Sequence, residues 1–554
     1  MTEQNLAQKT TVRTQKYKRE LLWLSPALLA TAVLFTVYLR SHPYPSFGAG
    51  LYLLVAERIS EAGYALPKTI PYYTDGGVPF AYPPLMFYAV AAIRDLTGLD
   101  PITITRVLPG LVTMLYLVPL YLLARDLLGS RPEAALTSLL AAVSPPVLQW
   151  HISAGGIVRA PAFLFALTGI YAGLRLYRDR DQRWVVPSLA LFTLTVLTHP
   201  LYTAFFALSY FLLFLAFDRT AWGLLRGAVV GVGGITLAAP WWIQVMSYHG
   251  VDVFTSAAGT HGGIGGGIQS LQALVEFDVH GALVGQLWAV VPLFGIAYLL
   301  KERRYFLPVW FVTVMLAFGK PRLSVTVGAF IIAVFLLEGV GPWLKRETPL
   351  AVGRRGFVTA ALVLIATVGL AGGAMYATGD VDAHAGSPSL PQFITHDDVE
   401  AMEWVETNTD PSATFVVQGD AAEWFPQQTH RTMLVGPWGV EWKGHEPYNR
   451  QLNLFRDISS CNSAHCMSQT LSEAGVSPDY IYLPKGTFTV RGMQYQRTSK
   501  LAMSMHLSPK YRTVFENDGV IVFEVMGGEQ GESQTGTGPG RKSGNSDGEN
   551  SGGR

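Results

Sequence analysis

The chain of 554 residues is 49% hydrophobic and only 15% charged, with a formal net charge of +1. Soluble domains carry roughly 25% charged residues, so this composition points to a multi-pass membrane protein. The near-zero net charge argues against nucleic acid or any other bulk polyanion as partner.

Residues 1–20 lack a small-residue cleavage site and hold Lys9, Arg13, Lys16, Lys18 and Arg19. The apolar run that follows, LLWLSPALLATAVLFTVYL, is long enough to span a bilayer. It reads as a retained first helix with a cytoplasmic, basic N-terminal flank. A long loop at 40–102 comes next, and further apolar runs fall near 103–124, 133–150, 159–176, 185–199, 201–217, 227–245, 284–300, 305–318, 323–341 and 357–376. With the first run these predict about eleven spans. Basic clusters then land on alternate loops: ARDLLGSRPE, RLYRDRDQRW, FDRTAWGLLRG, LKERRY and LKRETPLAVGRRG all fall inside. The segment LMFYAVAAIRDLTGL (85–99) carries Arg94 and Asp95 near its middle. It is predicted to lie along the outer surface, because counting it as a span would invert every later loop.

Within the opening loop, PYYTDGGVPFAYPPLMFY (71–88) combines tyrosines, prolines, an aspartate and a Gly-Gly pair. Pro83-Pro84 ends one element and starts the next, and Gly76-Gly77 allows a positive-φ turn beside Asp75. After residue 377 the composition changes. HDDVEAMEWVETN reads as a helix, and TFVVQGD, DYIYLPKG and GVIVFEVM as strands, predicting an extracytoplasmic α/β domain over 377–526. The tail 527–554 is too polar to bury a core and is expected to be disordered. Cys461 and Cys466 are the only cysteines, five residues apart in CNSAHC. On an oxidising face they suggest a local disulfide, with free thiols or a metal site shared with His465 as the alternatives.

The order of these features resembles the GT-C superfamily of membrane glycosyltransferases. The features are an inside N-terminus, one span, an outer loop with two surface helices around a Tyr/Pro/Gly segment, YPPL, and LTGLDPITITRVLPGL leading into a span. HPYPSFGAGLYL, GVPFAYPPL and DYIYLPKG look most like archaeal members acting in S-layer protein N-glycosylation. The resemblance implies transfer of a sugar, mannose first, from a dolichyl- or polyprenyl-phosphate carrier to a glycan or glycoprotein acceptor on the outer face. The enzyme would then be a cell-membrane protein in contact with lipid.

The resemblance also implies a general base on the acceptor hydroxyl, from an acidic residue at the start of the first surface helix. That position falls near Ser46 to Gly48, where no acid stands. The candidate bases are therefore Asp75, in a Gly-rich turn, and Glu57, on an otherwise apolar helical face. Each has a plainer reading, Asp75 as a turn residue and Glu57 as a partner of Arg58 or Arg40. A departing lipid phosphate needs cations, and outer-face basic residues are exceptions to the charge pattern. Arg159, Lys320 and Arg322 stand at outer ends of spans, and Arg106 matches an arginine of the family pattern; snorkelling to headgroups is the alternative for each. Tyr73, Tyr82, His42, His151 and His199 are expected around the cleft. No HExxH spacing is present, and no metal or other cofactor is expected, although relatives vary in metal use. The absence of a GxxxxGK[ST] loop disfavours a cytosolic nucleotide sugar and favours a lipid-linked donor. A lipid-sugar transporter or flippase, or an inactive scaffold of this fold, are the rival readings. The transporter is disfavoured because no matched pair of broken helices marks an inverted repeat.

Overall fold

The computed structural model describes residues 3–46, 48–260, 283–347, 353–378, 394–490, 493–496 and 499–526. The glycine-rich HGGIGGG and the tail 527–554 lie outside the described residues. Each of the eleven apolar runs falls on a helix or a broken helix. Among the described residues, six helices are long and apolar enough to cross a membrane, including α1 (Glu3–Ser41, from Tyr17), α4 (Pro101–Leu128), α7 (Gly156–Tyr177) and α9 (Pro200–Phe217).

Other runs are interrupted where proline removes a backbone donor. The run at 133–150 is two helices, α5 (Arg131–Ala142) and α6 (Pro145–His151), split before Pro145-Pro146. The run at 227–245 is α10 (Ala221–Leu237) and α11 (Ala239–His249), bent by 54° next to Pro240; counted as one span, this pair is the seventh. The helices α8 (Val185–Val196) and Phe306–Phe318 are shorter than a full crossing, whereas Leu283–Lys301 runs for 19 residues. Two of the initiation signals are plain. Asp100 accepts from the Thr103 amide with Pro101 following, and Ser130 caps α5.

Charges away from the opening loop are paired at the opposite helix ends. Glu20 meets Arg125 and Arg131, Asp126 meets Arg175, and Glu338 meets Arg304. The opening loop forms two helices, α2 (Gly50–Glu61) and α3 (Leu85–Thr97), packed on each other. Between them a short hairpin pairs β1 (Thr69–Ile70) with β2 (Val78–Pro79). Gly77 closes its turn at φ +73°, and a Cβ there would meet the Ile70 carbonyl at 2.5 Å.

The C-terminal domain is α/β, as its strand and helix patterns predict. A mixed sheet runs in the order β4 (Thr432–Met433), β3 (Thr414–Val417), β5 (Tyr480–Pro484), β7 (Val520–Val525), β6 (Tyr511–Glu516). Cys461 and Cys466 are joined as a disulfide.

The segment 71–88 docks this domain. Tyr73 bridges Met433 in parallel, with the Thr74 amide donating to the Met433 carbonyl (2.8 Å) and the Met433 amide to that of Tyr72 (2.9 Å). The loop thus covers the sheet edge that β4 would leave bare. Ile70, Tyr73, Val78, Phe80 and Phe87 share one buried core with Phe415, Trp424, Phe425 and Met433. At about 25 cal/mol per Å² of apolar surface, a core of this kind is the main attraction between the two parts.

An ionic latch flanks that core. Glu57 lies 3.3 Å from His430 Nε2 and 3.4 Å from Arg94. Hydrogen bonding to Glu57 raises the His430 pKa above its usual 6.5, with further help from the Glu57 and Glu406 charges and opposition from burial and Arg58. Burial pushes Glu57 up, but His430, Arg94 and Arg58 together hold it below its usual 4.5. The His430 contribution is full below about pH 6.5 and is lost as pH rises through the raised value; that of Glu57 is full above about pH 4.5 and is lost on acidification. The latch is therefore strongest between these limits. Thermal unfolding in detergent should show wild-type stability falling as pH rises above about 6.5, with His430→Gln flattening that decline. An unchanged slope in the variant would remove the latch from the account.

Candidate active site

A cavity of about 180 Å³ lies where the opening loop, the helix bundle and the C-terminal domain meet. The loop contributes Gly48, Tyr52, Phe80 and Tyr82, the bundle Trp150 and Arg159, and the domain Asp420, Glu423, Glu441 and Trp442. Each side chain owes its place to a local feature. Arg159 stands in the first turn of α7, Trp150 at the end of α6, and Asp420 and Glu423 on a 3-10 turn leaving β3. Glu441 and Trp442 belong to a second such turn, Val440–Lys443.

The cationic side is organised around one indole. The Arg159 and Arg322 guanidiniums lie 4.8 and 4.7 Å from the Trp150 ring centroid. Such contacts contribute about 0.5–2 kcal/mol each and hold two like charges near one another. Arg322 is buried, and its Nε donates to Tyr202 Oη at 3.0 Å. The Tyr202 hydroxyl lies 2.7 Å from His151 Nε2, and His151 Nδ1 lies 3.1 Å from Tyr116 Oη. Arg159 differs from Arg322: its Nη1 is buried with no hydrogen-bond partner among the described residues. A buried guanidinium N–H without an acceptor is costly, and Arg159 is one of the residues that line the cavity.

The Tyr52 and Tyr82 ring centroids lie 5.3 Å apart, tilted by 53°, and Trp442 packs edge-on to Tyr82 at 6.1 Å. Burial raises the Tyr82 hydroxyl pKa far above 10, so it stays protonated. Tyr73 lies behind this wall, fully buried, and donates through its hydroxyl to the Glu423 carbonyl at 2.6 Å.

The residues singled out from sequence separate into three groups. Arg159, Arg322, His151 and Tyr82 come together at or just behind the cavity. Several others serve the frame: Arg106 donates to the carbonyls of Leu39 and His42 at the end of α1, and His199 Nδ1 accepts from the Leu201 amide as the cap of α9. Lys320 caps the helix Pro321–Val334. The two candidate bases are elsewhere. Asp75 is exposed at the hairpin tip near Lys443, because the turn that frees its backbone also points it outward. Glu57 is committed to the latch with His430 and Arg94. Sequence reasoning missed Trp150, Tyr202, Asp420, Glu423 and Glu441. The paired Glu-Trp steps at 423–424 and 441–442 were the available signal. Among the described residues, no three His, Cys, Asp or Glu side chains come together as a metal-holding group.

Residues 81–243 match the family model described as dolichyl-phosphate-mannose-protein mannosyltransferase. None of the curated proteins matches the chain in sequence. Solved structures match it over most of its length. ArnT from Cupriavidus metallidurans bound to undecaprenyl phosphate is 14% identical at a TM-score of 0.50, over 91% of this chain and 98% of that one. The apo oligosaccharyltransferase of Archaeoglobus fulgidus is 13% identical at 0.52, over 84% and 70%. AglB of the same organism, in complex with an inhibitory peptide and a dolichol-phosphate, is 13% identical at 0.50, over 82% and 69%. At these identities the likeness is one of fold.

The buried chain through Tyr202 yields a direct expectation. Tyr202→Phe keeps the ring but strands Arg322 Nε and His151 Nε2 together. The loss should be about 1–3 kcal/mol, read as a lower melting temperature in detergent with unchanged expression. An unchanged melting temperature would mean that another group satisfies both nitrogens.

Proposed function

We propose that this chain, a membrane glycosyltransferase of the GT-C fold, moves one sugar from a polyprenyl-phosphate carrier to an acceptor hydroxyl in the cavity below its C-terminal domain. The observation that carries the reading is Arg159, whose Nη1 has no hydrogen-bond partner among the described residues, in the lining of a cavity that also holds carboxylates and aromatic rings. A glycosyl phosphate is an anion joined to a neutral sugar, and this lining matches both halves. Guanidinium N–H groups suit phosphoryl oxygens, and tyrosine and tryptophan faces suit the apolar side of a sugar ring. As the sugar–phosphate bond breaks, charge gathers on the leaving phosphate, where Arg159, backed by Arg322, stabilises it most. The volume of about 180 Å³ falls below the roughly 300–1,000 Å³ of drug-sized ligand sites. It suits a single sugar unit rather than a preassembled oligosaccharide.

The description of the matching family model supports mannose from dolichyl phosphate mannose; a glycan or glycoprotein acceptor in protein N-glycosylation is our reading of the archaeal-like sequence features. Undecaprenyl phosphate in ArnT and dolichol-phosphate in AglB make lipid phosphate the carrier class to test first. Transfer from dolichyl phosphate mannose to glycan acceptors by the purified protein is the deciding assay. Failure with every polyprenyl-phosphate sugar would favour a transporter or an inactive scaffold.

Two expectations follow from this reading. Arg159→Ala should cut donor use by about 1.5–3 kcal/mol, or roughly 10- to 150-fold in kcat/KM. Arg159→Lys should restore only part, because a point charge replaces a fork; wild-type turnover in both would return Arg159 to a snorkelling role. In the membrane, the cavity and the C-terminal domain belong on the outer face. A cysteine at Glu446 should react with an impermeant thiol reagent in intact cells, and one at Glu302 should not. Reversed labelling would turn the protein over.

A further inference from the structure

Resting on that reading, we infer that Glu423, from the C-terminal domain, is the proton acceptor for the incoming hydroxyl, and that Gly48 exists to admit its carboxylate. The reaction needs one carboxylate inside the cavity. The acceptor oxygen bonds to the anomeric carbon, while the bond from that carbon to the phosphate oxygen breaks. The electron pair leaves with the lipid phosphate, and the hydroxyl proton must go to a base within hydrogen-bond reach. Asp75 and Glu57 do not line the cavity; Asp420, Glu423 and Glu441 do.

Of these three, Glu423 is fixed from two sides. A Cβ built on Gly48 would fall 2.3 Å from Glu423 Cδ and 2.5 Å from Oε2, and one on Gly50 would fall 2.1 Å from the Glu423 carbonyl oxygen. The Gly48-Ala49-Gly50 stretch is therefore a slot into which the glutamate fits, backbone and carboxylate together. Tyr73 Oη holds the same carbonyl at 2.6 Å. The carboxylate thus stands at the start of α2, in space that a side chain at position 48 would fill. Its electrostatic surroundings include the other side of the reaction, since the Arg159, Glu423 and Glu441 charges all act on the buried Tyr52 hydroxyl. Cation and base arrive from different parts of the chain, Arg159 from the bundle and Glu423 from the docked domain.

The test uses the full-length protein with dolichyl phosphate mannose and an acceptor. Dolichyl phosphate binding, read by tryptophan fluorescence, is the second measurement. Glu423→Gln should lower transfer by about 10²–10⁴-fold and flatten the acid limb of the pH–rate profile, with dolichyl phosphate still bound. Gly48→Ala leaves every carboxylate in the sequence but displaces that of Glu423, and should reproduce the loss. Asp75→Asn should transfer at the wild-type rate. Full transfer by Glu423→Gln would overturn the assignment while leaving the proposed function intact. Loss of transfer together with loss of dolichyl phosphate binding would make Glu423 structural and also overturn it. A wild-type protein inert toward all polyprenyl-phosphate sugars would bring down both.

Discussion

The backbone pairing of Tyr73 with Met433, and the core closed around it, is the contact on which the rest of the molecule depends. Two amide hydrogen bonds there contribute about 0.5–1.5 kcal/mol each, less than the apolar surface around them. Their value is in register. They fix the C-terminal domain against the opening loop to within the tolerance of a hydrogen bond, and so fix the Asp420–Glu423 turn against Gly48. The Tyr73 side chain extends the same control, since its hydroxyl grips the Glu423 carbonyl. The aromatic and proline content of the loop, out of place between two membrane helices, is the composition of a docking surface.

The cationic half follows a different physical logic. Two arginines close to a single indole repel each other and lose hydration, which only specific partners offset. Arg322 is offset by Tyr202 and, through it, by the His151–Tyr116 chain. Arg159 Nη1 has no hydrogen-bond partner among the described residues. Under the proposed function, this difference between the two guanidiniums leaves Arg159 to meet the donor's anion.

The apolar runs, the paired helices of the opening loop and the C-terminal α/β domain were legible in the sequence, because hydrophobic length and period act locally. Arg159 and Arg322 were legible too, as basic residues that broke the charge pattern. Span integrity was less so. Pro145-Pro146 and Pro240 divide runs that hydropathy alone treats as continuous. The carboxylates could not be found by looking near position 48. Glu423 comes from 375 residues further along the chain, and only tertiary packing sets it against Gly48. Glu57 attracted attention as an acid on an apolar face, and the reason for it is a histidine at position 430. Local pattern showed that the charge needed a partner and was silent about which.

A site divided in this way changes how its parts respond to damage. The cation belongs to the bundle and the carboxylates to a domain held by one interface, so their relative position is only as good as the docking. Loosening the interface by an ångström would leave each half folded and each side chain present. Under the proposed function it would still separate acceptor from base, and catalysis falls steeply with such misplacement. Residues such as Tyr73, Gly77 and His430, none of which lines the cavity, therefore bear on its chemistry through position alone. Selection on the interface and selection on the reaction become the same constraint.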